Sequence, residues 1–260
     1  MKYDSLTDVI AKLKNSPRVK GILTTGTTAS EMNASSDIDL VVILDTNVEE
    51  LKSVYTTIEN RFSDIFFFDT EFVKRLGGKG EIKGNSFEGM FLEWLRKGAV
   101  EHDSGGLLSE LKKEKEEAPP AQKVSEQEAR DLWVKVNYNF IANARYYGSK
   151  EELYHKALEI RLLYGVVELI TAYFSFRGIP WRGEKEAVKY FEVNDQRFWE
   201  IFQTYSASNT LSEKMKKYEE LYSCVFFGEY TKWGKDFIIP ISNNTGYDEK
   251  LSVFWNSLIR

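Results

Sequence analysis

Cysteine occurs once in this sequence, at Cys224, and histidine only twice, at His102 and His155. A lone thiol excludes an internal disulfide. Two widely separated histidines also lack the cysteine partners that a structural zinc site of ordinary spacing requires. Long apolar runs are missing too: the longest are strand-length or are interrupted by charge, well short of the roughly 20 residues that cross a bilayer. The opening MKYDSLTDVIAKLKN carries no apolar segment leading to a small-residue cleavage site, which predicts no secretory leader and a cytoplasmic protein. There is no excess of basic charge. Against 35 Lys and Arg stand 40 Asp and Glu, a net charge of -5, which disfavours broad capture of nucleic acid and makes a small acceptor or ligand the easier partner. What is present is a globular balance of 42% hydrophobic and 29% charged residues over 260 positions. That length allows a sizeable core in one large domain or two ordinary ones.

Along the chain, Leu6, Val9, Ile10 and Leu13 recur at helical spacing, and KGILTTG then reads as a short strand ending at Gly26. DIDLVVIL, beginning at Asp37, is the strongest strand signal. Leu51, Val54, Tyr55, Ile58 and Phe62 follow with the spacing of an amphipathic helix, for which Asn47 is the expected N-cap, and DIFFF supplies a third strand. A further helix is expected around residues 87–95, with AVEHD as an edge strand after it. Proline is scarce, so Pro119-Pro120 at the end of the charge run KKEKEE stands out. That run reads as a solvated connection and places a domain boundary near residues 115–125. Beyond it the pattern is helical. One helix is traced by Leu132, Val136, Phe140, Ile141 and Ala144; a long helix starting near Glu151 is apolar on most faces and is expected at the centre of a bundle; two more are expected over residues 184–205 and 211–232. The fold class is therefore α+β: a small mixed β-sheet domain over residues 1–118, then an α-helical bundle over residues 125–260.

The stretch GILTTGTTASEMNASSDIDLVVIL carries the chemistry. Asp37 and Asp39, two apart at the start of a strand, project to one face while Ile38 and Leu40 project to the other. Paired carboxylates at such an edge suit Mg²⁺, which takes oxygen ligands at about 2.1 Å and keeps positions for water and substrate phosphates. Gly26 ends the preceding strand, where the missing Cβ permits close approach, and Thr27 and Thr28 add hydroxyls, so together they form a phosphate shelf. Asp64 opens the next apolar strand and is the candidate third carboxylate. Asp69 is its competitor, but it stands at the other end of DIFFFD, roughly 16 Å away along an extended strand, so both cannot share the edge. Lys156 and Arg161 interrupt the long apolar helix and are candidate triphosphate clamps. Ion pairing with Glu159 or Glu168, or snorkelling, is the competing explanation for both. His155, Cys224 and the tryptophans read as packing residues.

The pattern Gly26-Thr27 followed eleven positions later by Asp37-Ile38-Asp39-Leu40 resembles the nucleotidyltransferase fold of the DNA polymerase β superfamily. There a Gly-Ser pair follows the first strand, two aspartates flank one apolar residue on the second, and another acidic residue stands on a later strand. The resemblance implies that Gly26 and Thr27 contact a triphosphate, that Asp37 and Asp39 bind Mg²⁺, and that Asp64 fills the third acidic position. Thr27 departs from the usual serine while keeping a hydroxyl. The motif spans roughly residues 20–69. The wider arrangement resembles small bacterial nucleotidyltransferases with a C-terminal helical domain, including aminoglycoside adenylyltransferases. That resemblance implies ATP, or another NTP, as donor and a small-molecule acceptor such as an aminoglycoside-like antibiotic. Two other readings compete: a nucleotide-binding regulatory or antitoxin-like protein, and an enzyme that modifies RNA or protein. A homodimer is the default assembly to test.

Overall fold

The computed structural model describes residues 5–30, 32–242 and 246–258. The chain divides between Gln122 and Lys123 into two compact units. In the first, α1 (Leu6–Lys14) is capped by Ser5, whose side chain accepts from the Asp8 N–H at 3.0 Å. Its apolar stripe brings Val9 and Ile10 into the core with β1 (Val19–Thr25) and β2 (Ile38–Leu44). These two strands pair antiparallel, and a single 3-10 turn, Gly26–Ala29, follows the first of them.

The segment expected as a helix over residues 51–62 is instead β3 (Ser53–Ile58), which turns directly into β4 (Arg61–Asp69). Val54, Tyr55, Thr56, Thr57 and Ile58 are β-branched or aromatic and favour a pleated surface. Glu59 and Asn60 both take positive φ, 52° and 61°, the conformation of a two-residue hairpin turn whose twist matches the flanking strands. Asn47 does not cap a helix. Its side chain closes a loop, accepting from the Leu51 N–H at 3.0 Å and donating to the Leu51 carbonyl at 2.9 Å.

β4 continues into α2 (Thr70–Leu76); a short strand β5 (Glu81–Lys83) leads to α3 (Phe87–Lys97), β6 (Ala99–Asp103) and α4 (Leu107–Glu117). The main sheet has the order β3-β4-β2-β1-β6. Only the β2–β4 pair is parallel, which makes the sheet mixed. Period-two alternation gives each face its own core. Leu40, Val42 and Leu44 meet Val9 and Ile10 on one side. Val41, Ile43, Phe66 and Phe68 meet Phe72, Phe91 and Trp94 on the other, with the Phe66 and Trp94 rings stacked at 4.9 Å. The charge run ending at Glu117 belongs to α4 and is not a solvated connection. Leu108 and Leu111 are buried, and Glu114 accepts from the Gly78 N–H at 2.7 Å.

A strand β7 (Ala121–Lys123) marks the passage to the second unit, built on α5 (Glu126–Tyr147), α6 (Glu152–Phe176), α7 (Glu184–Asn194), α8 (Gln196–Ala207) and α9 (Leu211–Val225). The helix expected over residues 184–205 is two helices. Asp195 breaks it, because its carboxylate caps α8 by accepting from the Phe198 N–H and also accepts from the Tyr173 hydroxyl. The bundle core gathers Leu158, Leu162, Leu169, Phe191, Phe198, Tyr218 and Leu221. Yet α6 is not enclosed on every side, since Leu153, Ile160, Leu163 and Val167 are exposed. A two-residue ribbon, β8 (Ile241–Ser242) with β9 (Gly246–Tyr247), precedes α10 (Leu251–Leu258). Among the described residues no helix is long and apolar enough to cross a membrane.

Gly98, between α3 and β6, is the tightest backbone contact of the first unit. A Cβ there would lie 2.4 Å from the Thr24 carbonyl oxygen and 2.6 Å from that of Trp94. Neither is a flexible group, so Gly98→Ala is expected to lower stability by about 1–3 kcal/mol. Urea unfolding checks this; an unchanged midpoint would contradict the packing described for the α3–β6 corner.

Candidate active site

The carboxylates are placed by the change of character along β2 and β4. Asp39 lies on the same sheet face as Val41 and Ile43, and Asp64 on the same face as Phe66 and Phe68, so each acid stands where the buried part of the apolar row stops, with β4 running on past Asp64 to Arg61. Parallel pairing sets Asp39 opposite Asp64. The row continues outward on both sides, with Thr25 of β1 opposite Asp39 and Tyr55 of β3 opposite Asp64. Asp37 precedes β2 by one residue. Asp69 stands at the far end of the same ladder, opposite Leu44, and caps α2 by accepting from the Phe72 N–H at 2.7 Å.

Asp64 is under electrostatic stress. Burial raises its carboxyl above the usual aspartate range, and the charge of Asp37 raises it further. Its Oδ1 is buried with no hydrogen-bond partner. A buried unpartnered carboxylate oxygen beside another carboxylate is costly unless a cation or a proton completes it.

The Gly26 turn lies against this edge. Gly26 has φ +59°, and a Cβ built on it would stand 2.5 Å from Asp39 Oδ2, so both the backbone conformation and the space demand glycine. Thr27 Oγ1 is also buried and unpartnered, a donor fit for a phosphate oxygen. Thr28, expected as a phosphate contact, has its hydroxyl engaged with the backbone. Its hydroxyl accepts from the Asp39 N–H at 2.9 Å and donates to the Asp37 carbonyl at 3.4 Å, tying the shelf to the backbone of the carboxylate pair.

Arg61 is a positioning residue that the sequence pattern did not single out. From the start of β4 its Nη1 donates to the carbonyls of Asn33 and Ser36, at 2.6 and 3.0 Å. It thereby pins the loop that delivers Asp37. That loop is itself turned by Ser35 N–H donating to Asn33 Oδ1 at 2.8 Å. A lone arginine at a strand start gives no signal in sequence of the two carbonyls it will find.

Other candidates are occupied. Lys156 pairs with Glu152 at 2.8 Å on an exposed side of α6. Arg161 donates to Asn143 and Asn139 at 2.7 and 2.9 Å and lies over the Tyr146 ring. Neither expected acid partner serves Arg161: Glu168 pairs with Lys135 and Glu159 with Lys214. Among carboxylates that rival Asp64 as a base, Glu59 accepts from the Leu6 N–H and Asp103 Oδ2 accepts from Ser109. Burial pushes Glu93 up, but hydrogen bonds and charge from Arg96 and Lys97 outweigh it and hold the carboxyl at about 2.

Among the described residues no group of three or more His, Cys, Asp and Glu side chains is placed to hold a metal ion by itself. Mg²⁺ does not need one, because it is commonly held by one or two carboxylates, with waters and substrate phosphates completing the octahedron. Asp37 and Asp39, with the unpartnered Asp64 oxygen on the neighbouring strand, offer the hard oxygen donors that this ion takes.

Two outcomes follow. An aspartate whose folded pKa exceeds its unfolded value favours the folded state at low pH and opposes it as pH rises through the raised pKa. Asp64→Asn is therefore expected to raise the Tm of metal-free protein at pH 7, with the gain vanishing near about pH 3. An equal or lower Tm at pH 7 would contradict the stress assigned to Asp64. If the turn receives MgATP, as the resemblance implies, Gly26→Ala is expected to weaken that binding at least about tenfold, measured by titration calorimetry, through backbone strain and displacement of Asp39. Gly105→Ala, where an added Cβ meets nothing within 4 Å, should leave it unchanged in the same calorimetric titration.

No family model matches the chain, and no curated protein matches it. Among solved structures it is similar to a nucleotidyltransferase-like protein from Exiguobacterium sibiricum, at 12% identity over 84% of this chain and 73% of the other, with a TM-score of 0.39. A likeness at that score carries no argument about activity, which must come from the residues at the sheet edge.

Proposed function

We propose that this chain is a magnesium-dependent nucleotidyltransferase that moves a nucleoside monophosphate, from ATP as the resemblance implies, to a hydroxyl of a small acceptor and releases pyrophosphate. The observation that carries the reading is the pairing of Asp39 with Asp64 beside a glycine whose Cβ would collide with Asp39 Oδ2. Acidic pairs at sheet ends are common enough as solvated edges. A buried, unpartnered acid oxygen next to an obligate close-approach turn is not explained that way.

Asp37 and Asp39 would hold Mg²⁺ with Asp64 alongside, and the bound ion would neutralise charge on the phosphates. The chain's own residues do the rest. The Gly26 turn receives the triphosphate, with the Thr27 hydroxyl donating to it. Asp64, made more basic than an ordinary aspartate by burial and by the charge of Asp37, takes the proton of the acceptor hydroxyl. The acceptor oxygen forms a bond to the α-phosphorus as the bond to the bridging oxygen breaks, and pyrophosphate leaves with that oxygen and its electron pair. Thr28 and Arg61 hold the backbone that carries the two aspartates.

The net charge of -5 favours a neutral or cationic small acceptor over a polyanionic strand. Aminoglycosides belong in the acceptor panel on the resemblance alone. The test is Mg²⁺-dependent pyrophosphate release across a panel of NTPs and hydroxyl acceptors, with product masses measured. The Asp37→Asn/Asp39→Asn double variant, of nearly unchanged side-chain size, is expected to lose about 100-fold or more of the rate, the equivalent of several kcal/mol of phosphate charge stabilisation. Wild-type transfer by the folded double variant would overturn the mechanism; tight nucleotide binding without pyrophosphate release from any acceptor would favour the regulatory reading.

A further inference from the structure

Two large aromatic side chains beside the carboxylate row are left out of both cores. Tyr55 is 63% exposed and Phe62 59% exposed, and their rings lie nearly parallel, 9° apart in plane with centroids 6.1 Å apart. Their placement follows from register. Tyr55 is directly opposite Asp64 across the β3–β4 ladder, and Phe62 precedes Asp64 by two residues on the same strand. All three therefore project from one face, the face that also carries Asp39. Tyr55 is one strand spacing from Asp64, about 4.8 Å, and Phe62 one alternation along the strand, about 7 Å. The hairpin that carries the rings is closed by the two-residue turn at Glu59 and Asn60, both with positive φ.

Exposed aromatics of this size, adjacent to one another and to the carboxylate row, point to a ligand. The order of strands says which part of the reaction they serve. On the reading proposed above, on which this inference rests, the triphosphate sits at the Gly26 turn after β1 and the α-phosphate over Asp39 on β2. An in-line displacement puts the entering oxygen on the side opposite the leaving pyrophosphate. Across the sheet that direction runs from β1 through β2 to β4, then to the edge strand β3. Asp64 on β4 is the base at the entering oxygen, and the body of the acceptor continues over Tyr55 and Phe62.

We propose that Tyr55 and Phe62 form a stacking platform for the acceptor, and that the acceptor is a small neutral or cationic molecule carrying its nucleophilic hydroxyl a short linker away from a planar aromatic or heteroaromatic ring. Flat π-faces stack in offset or edge-to-face arrangements on paired aromatic side chains. An aminocyclitol has no planar ring to offer, so the platform separates these acceptor classes.

The experiment measures ring binding apart from turnover. Full-length protein is loaded with Mg²⁺ and α,β-methylene-ATP, and binding of 2-(2-naphthyl)ethanol and of its saturated counterpart, 2-(decahydronaphthyl)ethanol, is followed by saturation-transfer NMR. The naphthyl probe is expected to bind at least about tenfold more tightly than the saturated one. Tyr55→Ala and Phe62→Ala should each weaken it by about tenfold, as removal of one stacking partner does, while Tyr55→Phe should retain it. Affinity for the ATP analogue should be unchanged in all three. Both side chains are exposed, so folding is expected to survive, and circular dichroism confirms it.

The proposal is overturned if naphthyl and saturated probes bind alike, or if the folded Ala variants bind the naphthyl probe as the wild type does. It is equally overturned if those variants lose the ATP analogue instead, which would assign the platform to the donor base. In the acceptor screen, an oligonucleotide 3′ end or kanamycin used as well by the Ala variants as by the wild type would also overturn it. Failure of nucleotidyl transfer is read from pyrophosphate release and failure of the ring platform from probe binding, so the two are told apart.

Discussion

Two carboxylates held side by side on neighbouring strands repel each other, and the repulsion grows where water is excluded. In this protein the parallel register of β2 with β4 imposes that arrangement on Asp39 and Asp64, and burial, then the charge of Asp37, raises the Asp64 carboxyl. The register is not free to slip by one residue. A slip would turn Val41, Ile43, Phe66 and Phe68 away from the aromatic core beneath α2 and α3. Apolar packing along most of each strand thus forces the acids together at its end. The site's need for a cation or a proton is a consequence of how the core is packed.

The groups around the acids hold this arrangement in place. Thr28 bonds the backbone at Asp37 and Asp39, Arg61 bonds the carbonyls of the loop before Asp37, and Gly26 leaves room for Asp39 Oδ2. Arg61 donates to backbone carbonyls, where it fixes geometry. A site preorganised in this way meets an incoming positive ion with little rearrangement, which is the condition under which electrostatic stabilisation is most effective.

Much of this was legible in the residues. The Asp-Ile-Asp-Leu alternation places two acids on one face of a strand by period alone, and the glycine before it signals a close approach that the Asp39 contact explains. Asp64 was separable from Asp69 because an extended strand cannot bring both to one end. The hairpin was harder to read. Leu51, Val54, Tyr55, Ile58 and Phe62 satisfy a helical period, yet β-branched residues and the positive φ of Glu59 and Asn60 build β3 and a tight turn. Period alone does not decide between strand and helix in so short a segment. That misreading hid Tyr55 and Phe62, whose position beside Asp64 exists only in the hairpin. Thr28 and Arg61 were opaque for another reason: their partners are main-chain atoms, which leave no trace in residue identity. The charge run at the end of α4 looked like a linker because Leu108 and Leu111, which anchor it, lie upstream of it.

The central claim is that the acids at the end of β2 and β4 form a metal and phosphate edge. A crystal structure of the protein with Mn²⁺ and α,β-methylene-ATP, read by the anomalous signal of the metal, tests it most directly. The account predicts an anomalous peak within coordination distance of Asp37 and Asp39, with phosphate oxygens completing the shell and the β- and γ-phosphates at Gly26 and Thr27. A nucleotide bound elsewhere on the chain, or bound at the Gly26 turn with no metal at the aspartates, would contradict it.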